Sequence, residues 1–430
     1  MGGNALAGGS PSTLLNSSTI DIAKYEALYK HFHQNPELSN LEEQTAKKVA
    51  EELSKLQSFE ITTGIGGHGL IGVFKNGEGN TILLRSDMDA LPILETTGLD
   101  FASKAKMNDV NGVMQPVMHA CGHDMHMTCL LAASEILVQL KNQWKGTLVV
   151  LFQPAEERGT GAQAMVDDGL YEKHKCPIPD FVLGQHVVAM RAGSIGSRVG
   201  TIMAGADSMK ITLSGLGGHG SQPHRTIDPV VMAAHVVVRL QSIVSREINP
   251  TDISVLTVGS LQAGQTENVI ADTAEIGVDI RSVKPETREQ LLASIRRVVD
   301  AECQASGAAA PPKYTITRHF PVTVNDGPML DTLTGSFKDH FGDRFDADIP
   351  VTTISEDYSI LATSQGKPSL FWHWGGVEAG VWDQKAAEGR TLQDIPANHT
   401  SKFAPVIDPT MRTGIDALAV AALTFFQEKV

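Results

Sequence analysis

Apolar residues recur at three- and four-residue spacing over residues 20–34 and again over 41–56, which predicts two helices. Asn35-Pro36 separates them, because proline disfavours helix at the residue before it. Three short β-rich runs follow, Phe59–Thr62, Gly69–Phe74 and Thr81–Leu84, and the last leads straight into Arg85-Ser86-Asp87-Met88-Asp89. Residues 94–117 carry no period and read as irregular loop. Helical spacing returns from about 124 to 141 through Met127, Leu130, Leu131, Ile136, Leu137 and Leu140. Gly146–Phe152 is a continuous apolar run that ends in Gln153-Pro154-Ala155-Glu156-Glu157. Such a run suits a strand covered on both faces, as in a parallel sheet. A helix near 161–169 and a second apolar run, Phe181–Gly184, come next, and that run ends at Gln185-His186. Alternating strand and helix predict an α/β domain.

The pattern changes between about 198 and 320. Met209–Leu213 reads as a strand, and Asp228-Pro229 marks a helix start that runs to about 246, with Asp suited to the cap and Pro to the first turn. Strands at Ile253–Leu261 and Thr273–Val283, a helix from Pro285 to about Gln304 and a strand at Tyr314–His319 complete the set; Ser306–Pro312 reads as a loop. The order β-α-β-β-α-β is that of a ferredoxin-like α+β unit. After 325 the α/β pattern resumes, with a helix near 329–341, a strand at Ser369–Trp374 and a helix from about 408 to 427. The expected organisation is a disordered tail (1–18), a catalytic α/β domain (19–197 and 322–430) and an inserted smaller domain (198–321).

Composition narrows the function classes. With 35 Lys and Arg against 49 Asp and Glu, the net charge is −14, which argues against nucleic acid or an anionic membrane as partner. The cysteines at 121, 129, 176 and 303 are too dispersed for a disulfide framework, so a reducing, cytoplasmic setting is expected. Met1–Ser18 lacks the charged start and apolar core of a signal peptide, and no apolar run approaches the length of a membrane span.

The candidate chemistry concentrates in Met118-His119-Ala120-Cys121-Gly122-His123-Asp124-Met125-His126. A thiol and an imidazole two residues apart suit zinc or another late first-row ion. Asp87, Asp89, Glu156, Glu157 and His186 all fall at the ends of expected strands, where open α/β sheets place their ligand sites. Cys121, His123, Glu157, His186 and His399 together could hold a pair of metals, with the Cys121 sulfur as the natural bridge. Taken singly, each has an ordinary reading: a buried Cys, a hydrogen-bonded His, a solvated Glu. Glu156 and Glu157 are adjacent, so one can bind metal while the other faces a water.

Several motifs then carry a resemblance. Leu84-Arg85-Ser86-Asp87-Met88-Asp89-Ala90-Leu91-Pro92, His119–Asp124, Phe152–Glu157, Gly217-Gly218-His219-Gly220, Pro223-His224, Asn268-Val269-Ile270, Ser355-Glu356-Asp357 and Asn398-His399 resemble the metal-dependent amidohydrolase and peptidase family that includes aminoacylase and carboxypeptidase G. The chain is most similar to the branch of hippurate hydrolase and the indole-3-acetyl-amino-acid hydrolases. The resemblance implies a metallopeptidase-like catalytic domain interrupted by a lid or dimerisation domain. It implies two divalent ions (zinc, manganese, cobalt or nickel) on Cys121, His123, Glu157, His186 and His399, with Glu156 as general base and Asp89 supporting the site. It further implies His219 as an oxyanion donor acting in the partner subunit of a homodimer, and Asn268 and Arg281 as substrate contacts. His119, Asp124, His126 and His224 would support or line the pocket. The implied activity is hydrolysis of the amide bond of a small N-acyl amino acid. A dipeptidase or carboxypeptidase of the same family, and a non-catalytic binding relative, are the alternatives.

Overall fold

The computed structural model of the protein describes residues 9–428. The chain divides into two compact units, one of residues 1–202, 324–350 and 357–430, the other of 203–323 and 351–356. In the larger unit, an eight-stranded sheet runs in the order Glu60–Ile65, Gly69–Lys75, Thr147–Gln153, Thr81–Asp87, Phe181–Arg191, Ser369–Val377, Ile195–Gly196, Phe345–Asp346. The four central strands are mutually parallel, and they are the apolar runs of the sequence: Leu83, Leu84, Val149, Val150, Val182 and Leu183 are fully buried. Helices His123–Gln139 and Thr410–Gln427 pack on each other and on this sheet. Almost every side chain of both is buried, so neither shows a polar stripe.

Four local expectations are corrected. The segment Pro11–Leu15, expected within a disordered tail, is a short helix capped by the Ser10 hydroxyl, with Leu14 and Leu15 in the main core. Two leucines amid Gly, Ser and Asn were too few to register as a period. The part of that tail spanning residues 1–8 lies outside the described residues. Within the expected loop 94–117, Lys106–Asn108 and Met114–Pro116 form a small antiparallel hairpin. The strand Phe181–Arg191 continues past His186, so that residue is inside a strand rather than beyond its end. Pairing with Thr81–Asp87 stops at Gly184, however, while pairing with Ser369–Val377 carries on. His186 therefore sits where one neighbouring strand has ended.

The smaller unit is a four-stranded antiparallel sheet in the order Ser254–Ala263, Thr273–Ser282, Gly205–Ser214, Ala310–Phe320. Helices Pro229–Arg246 and Pro285–Ala305 cover it, and Val236, Leu240, Ile243, Leu291, Ile295 and Val299 fill the space between. Numbered along the chain, the strands lie side by side in the order 2-3-1-4, the ferredoxin-like arrangement. The Asp228 carboxylate caps the first helix by accepting from the Val230 and Val231 N–H groups. The fourth correction falls here: the strand begins at Ala310, taking in part of the expected loop. Pro311 and Pro312 fall at an irregularity of this edge strand, between the Lys313–Thr212 and Ala310–Ser214 pairs, and prolines are tolerated at edges and bulges.

Candidate metal centre

The larger unit gathers five chain segments at the carboxyl ends of its central strands. The strand Thr81–Asp87 is apolar up to Leu84 and then turns polar within the core. Arg85 is buried, donating to Asp87 Oδ2 at 2.9 Å and to Gln153 Oε1 at 2.9 Å. Burial opposes ionisation of Asp87, yet His123, His126 and Arg85 hold its carboxyl well below the usual range.

Cys121 and His123 flank Gly122, the residue before the long helix. Gly122 has φ +87°, and a Cβ there would meet Val187 Cγ1 at 2.4 Å. Only glycine lets the loop reverse this close to the sheet. His123, the first helical residue, has its Nδ1 2.8 Å from the Asp89 carbonyl. That contact places the ring proton on Nδ1 and leaves Nε2 bare. Among the described residues His123 Nε2 has no hydrogen-bond partner although it is buried, and Asp87 Oδ2, Glu156 Oε2 and Glu157 Oε1 lie 3.5, 4.0 and 4.0 Å from it.

The Glu156-Glu157 doublet forms a single 3-10 turn after strand Thr147–Gln153. Two carboxylates fix its backbone. Asp89 accepts from the Glu156 and Glu157 N–H groups at 3.2 and 3.0 Å, and Glu42 accepts from the Ala155 N–H at 2.8 Å. Ala155 adopts φ +50°, an uncommon backbone for a residue with a Cβ, which aims three successive N–H groups at those acceptors. Asp89 also receives the Ser39 hydroxyl at 2.6 Å. Glu42 and Ser39 were not singled out from the sequence; both sit in an unremarkable polar stretch, and only the fold brings them to the doublet.

Cys121 Sγ is the meeting point. His186 Nε2 approaches it at 3.3 Å and His399 Nε2 at 3.1 Å. His399 Nε2 is also 3.2 Å from Glu157 Oε1. His399 arrives on a left-handed backbone (φ +66°), and its N–H donates to the Ala120 carbonyl at 2.8 Å. The thiol is pushed well above its ordinary value by burial and by Glu157, Glu156 and Asp87. The His123 pKa is raised as well: burial favours the neutral ring, but Asp87 and Asp89 outweigh it and lift the value to about 10.

The donor set suits divalent metal. Cys121, His123 and Glu157 present ligand atoms within 4.8 Å of one another, and His186 and His399 reach the same sulfur. A thiol, two bare imidazole nitrogens and several carboxylates this close repel or starve one another without a cation, and a dication would satisfy them at once. Thus the five residues expected as ligands come together, with Glu156 and Asp89 beside them. Of the supporting histidines, His119 is buried with neither ring nitrogen hydrogen-bonded, and His126 bridges Asp87 and the Val187 backbone. Asp124 pairs instead with the buried His33, at 2.6 Å.

The remaining candidates belong to the smaller unit. His219 pairs with Val269 in a two-residue bridge, and the Gly220 N–H donates to the Asn268 carbonyl at 2.8 Å, so His219 and Asn268 share one exposed turn region. The Ser221 backbone N–H donates to His219 Nδ1 at 3.1 Å. Nδ1 is therefore the acceptor and Nε2 carries the ring proton. Arg281 donates through Nε to Asp279 at 3.2 Å and through Nη1 to the Thr353 carbonyl and Ser355 hydroxyl at 3.0 and 3.2 Å. His224 lies in the exposed turn Pro223–Arg225.

Residues 83–397 match Peptidase family M20/M25/M40. The chain is 37% identical over 323 residues to hippurate hydrolase of Campylobacter jejuni, covering 75% of this chain and 80% of that one. It is 33% identical over 401 residues to thermostable carboxypeptidase 2 of Saccharolobus solfataricus, covering 92% and 94%. A solved Bacillus subtilis protein described as a dinuclear metal binding peptidase from the M20 family shares its fold with a TM-score of 0.71 at 26% identity, over 94% of this chain and 97% of that one. Motifs spread from Leu84 to His399, the two-unit architecture and the clustered donors agree with these matches, and the chain belongs to the M20/M25/M40 peptidase family as a metallopeptidase-like amide hydrolase.

Proposed function

We propose that the protein hydrolyses the amide bond of N-acyl or N-aroyl amino acids at a dinuclear metal centre. The observation that carries this reading is the buried His123 Nε2, without a hydrogen-bond partner among the described residues and 4.0 Å from Glu157 Oε1, beside a thiol that two further imidazoles touch. Cys121, His123, Glu157, His186 and His399 would hold two divalent ions, Cys121 bridging. Such ions supply Lewis acidity, which lowers the pKa of a bound water and polarises a carbonyl.

The protein's own groups do the rest. Glu156, its backbone held by Asp89, takes the proton of the attacking water and delivers it to the leaving nitrogen. Asp89 has a second task, since its carbonyl accepts from His123 Nδ1 and so keeps Nε2 free for metal. His219, with its proton on Nε2, is suited to donate to the developing oxyanion, and we assign it that role in the partner subunit of a homodimer. Among the described residues, Arg281 Nη2 has no hydrogen-bond partner, and with Asn268 it would hold the substrate carboxylate. The name of the Saccharolobus solfataricus carboxypeptidase supports a second reading, cleavage of a C-terminal residue from a short peptide.

The test is metal analysis of the purified protein combined with a hydrolysis panel of N-acetyl, N-benzoyl and indole-3-acetyl amino acids and matched dipeptides. Hydrolysis of the acyl amino acids, abolished by a chelator and restored by zinc, manganese, cobalt or nickel, is expected. Preference for dipeptides would select the second reading. Metal-loaded protein that cleaves none of them would overturn both.

A further inference from the structure

We propose that His126 is a positioning residue: through the Val187 backbone it fixes the ring of His186, and so holds a metal-binding imidazole that it never touches by hydrogen bond. The inference rests on the metal reading given above.

The argument starts from the sheet. Strand Phe181–Arg191 loses its neighbour Thr81–Asp87 after Gly184, so beyond that point one strand edge must find other partners for its backbone groups. Val187 finds them in side chains. Its N–H donates to His126 Nε2 at 3.0 Å. A backbone N–H can only donate, so Nε2 is the acceptor and the His126 ring proton lies on Nδ1, where it is given to Asp87 Oδ1 at 2.6 Å. His126 is thereby a neutral spacer between a carboxylate and a peptide, with both ring nitrogens committed and neither available to a cation.

The Val187 carbonyl is used as well. It accepts from His186 Nδ1 at 2.7 Å and from Asn398 Nδ2 at 3.0 Å. The first bond fixes the His186 tautomer and leaves Nε2 bare toward Cys121 Sγ. The second ties in the residue beside His399, whose Nδ2 also donates to the Cys121 carbonyl at 3.2 Å. One residue's backbone thus joins the two segments that each bring an imidazole to the Cys121 sulfur and the helix that follows Cys121. His126 is the group that anchors its N–H, and its ring lies 4.5 Å from that of His186, edge-on. Outer partners that orient a ligating histidine commonly change metal affinity about 10–100-fold when removed.

Three substitutions separate the two halves of the imidazole. In His126→Gln, the amide oxygen can occupy the Nε2 position and accept the Val187 N–H. In His126→Asn, the shorter amide can donate to Asp87 but cannot reach Val187. His126→Leu removes both. The measurement is zinc affinity and stoichiometry by competition with a chromophoric chelator, on full-length protein, with melting of the metal-free form as the fold control. The inference requires Asn and Leu to weaken zinc binding at least about tenfold and Gln to stay within about threefold of the unsubstituted protein. It is overturned if all three bind zinc as the unsubstituted protein does, or if Gln falls with the others. Should His126→Leu fail to fold, the Gln and Asn pair still decides. If the unsubstituted protein takes up no zinc, manganese or cobalt, the metal reading itself has failed; intact uptake with indifferent variants sinks this inference alone.

Discussion

The donors of the larger unit and those of the smaller unit are built in opposite ways. Around Cys121 the donors other than the half-exposed His399 are largely buried, and these are held by a second protein group: His123 by the Asp89 carbonyl, His186 by Val187, the Glu156-Glu157 turn by Asp89 and Glu42. His219 and Asn268, by contrast, lie exposed on a turn region, and Arg281 is half-buried with its fork only partly engaged. Buried, cross-braced donors pay little entropy when a cation arrives, and low dielectric strengthens each contact. Exposed donors gain their strength only once a ligand excludes water from them. The contrast separates a pre-formed part, to which we assign the ions, from an adaptive part, to which we assign the substrate.

Substitutions can break this division, the largest effect first. Glu156→Gln is expected to lower kcat by about 10³-fold or more while metal content stays unchanged; initial rates and metal analysis on one preparation would show it, and a variant retaining a tenth of the rate would remove Glu156 from its role. His219→Ala should cost about 10²-fold in kcat with no change in metal affinity, and a loss of metal instead would blur the two parts. Arg281→Lys keeps the charge but loses the planar fork, so KM for a free-carboxylate substrate should rise about tenfold. Its effect on the matching methyl ester should be near zero, which steady-state kinetics on both substrates would reveal. Smallest is Ser39→Ala, which removes one donor from the buried Asp89 carboxylate. About 1 kcal/mol of stability should go with it, read as a lower melting temperature, together with a modest drop in kcat.

The sequence displayed the apolar core strands and the ferredoxin-like order clearly, because both are written in local periodicity and in capped starts such as Asp228-Pro229. The five donors were legible for another reason: a thiol, imidazoles and carboxylates at strand ends, arranged as in a known family. What holds them was not legible. Glu42 and Ser39 carry no local signal, and their contacts to Ala155 and Asp89 exist only after distant segments have packed. His186 was expected beyond a strand, since its apolar run ends at Gly184, yet the strand continues on one side and stops on the other. No reading of a single run can show an asymmetry between two neighbours. Leu14 and Leu15 were hidden likewise, buried by the Thr410–Gln427 helix and its neighbours rather than by any pattern of their own.

The bond from the His399 N–H to the Ala120 carbonyl has a consequence in the order of synthesis. Cys121, His123, Glu157 and His186 all emerge from the ribosome before the smaller unit, and Asn398-His399 well after it. A nascent chain can therefore raise its sheet and seat the thiol, yet still lack the imidazole that closes on the sulfur and the amide that braces it. On the proposed metal reading, a translation product halted anywhere short of Asn398 would lack one of the five ligands.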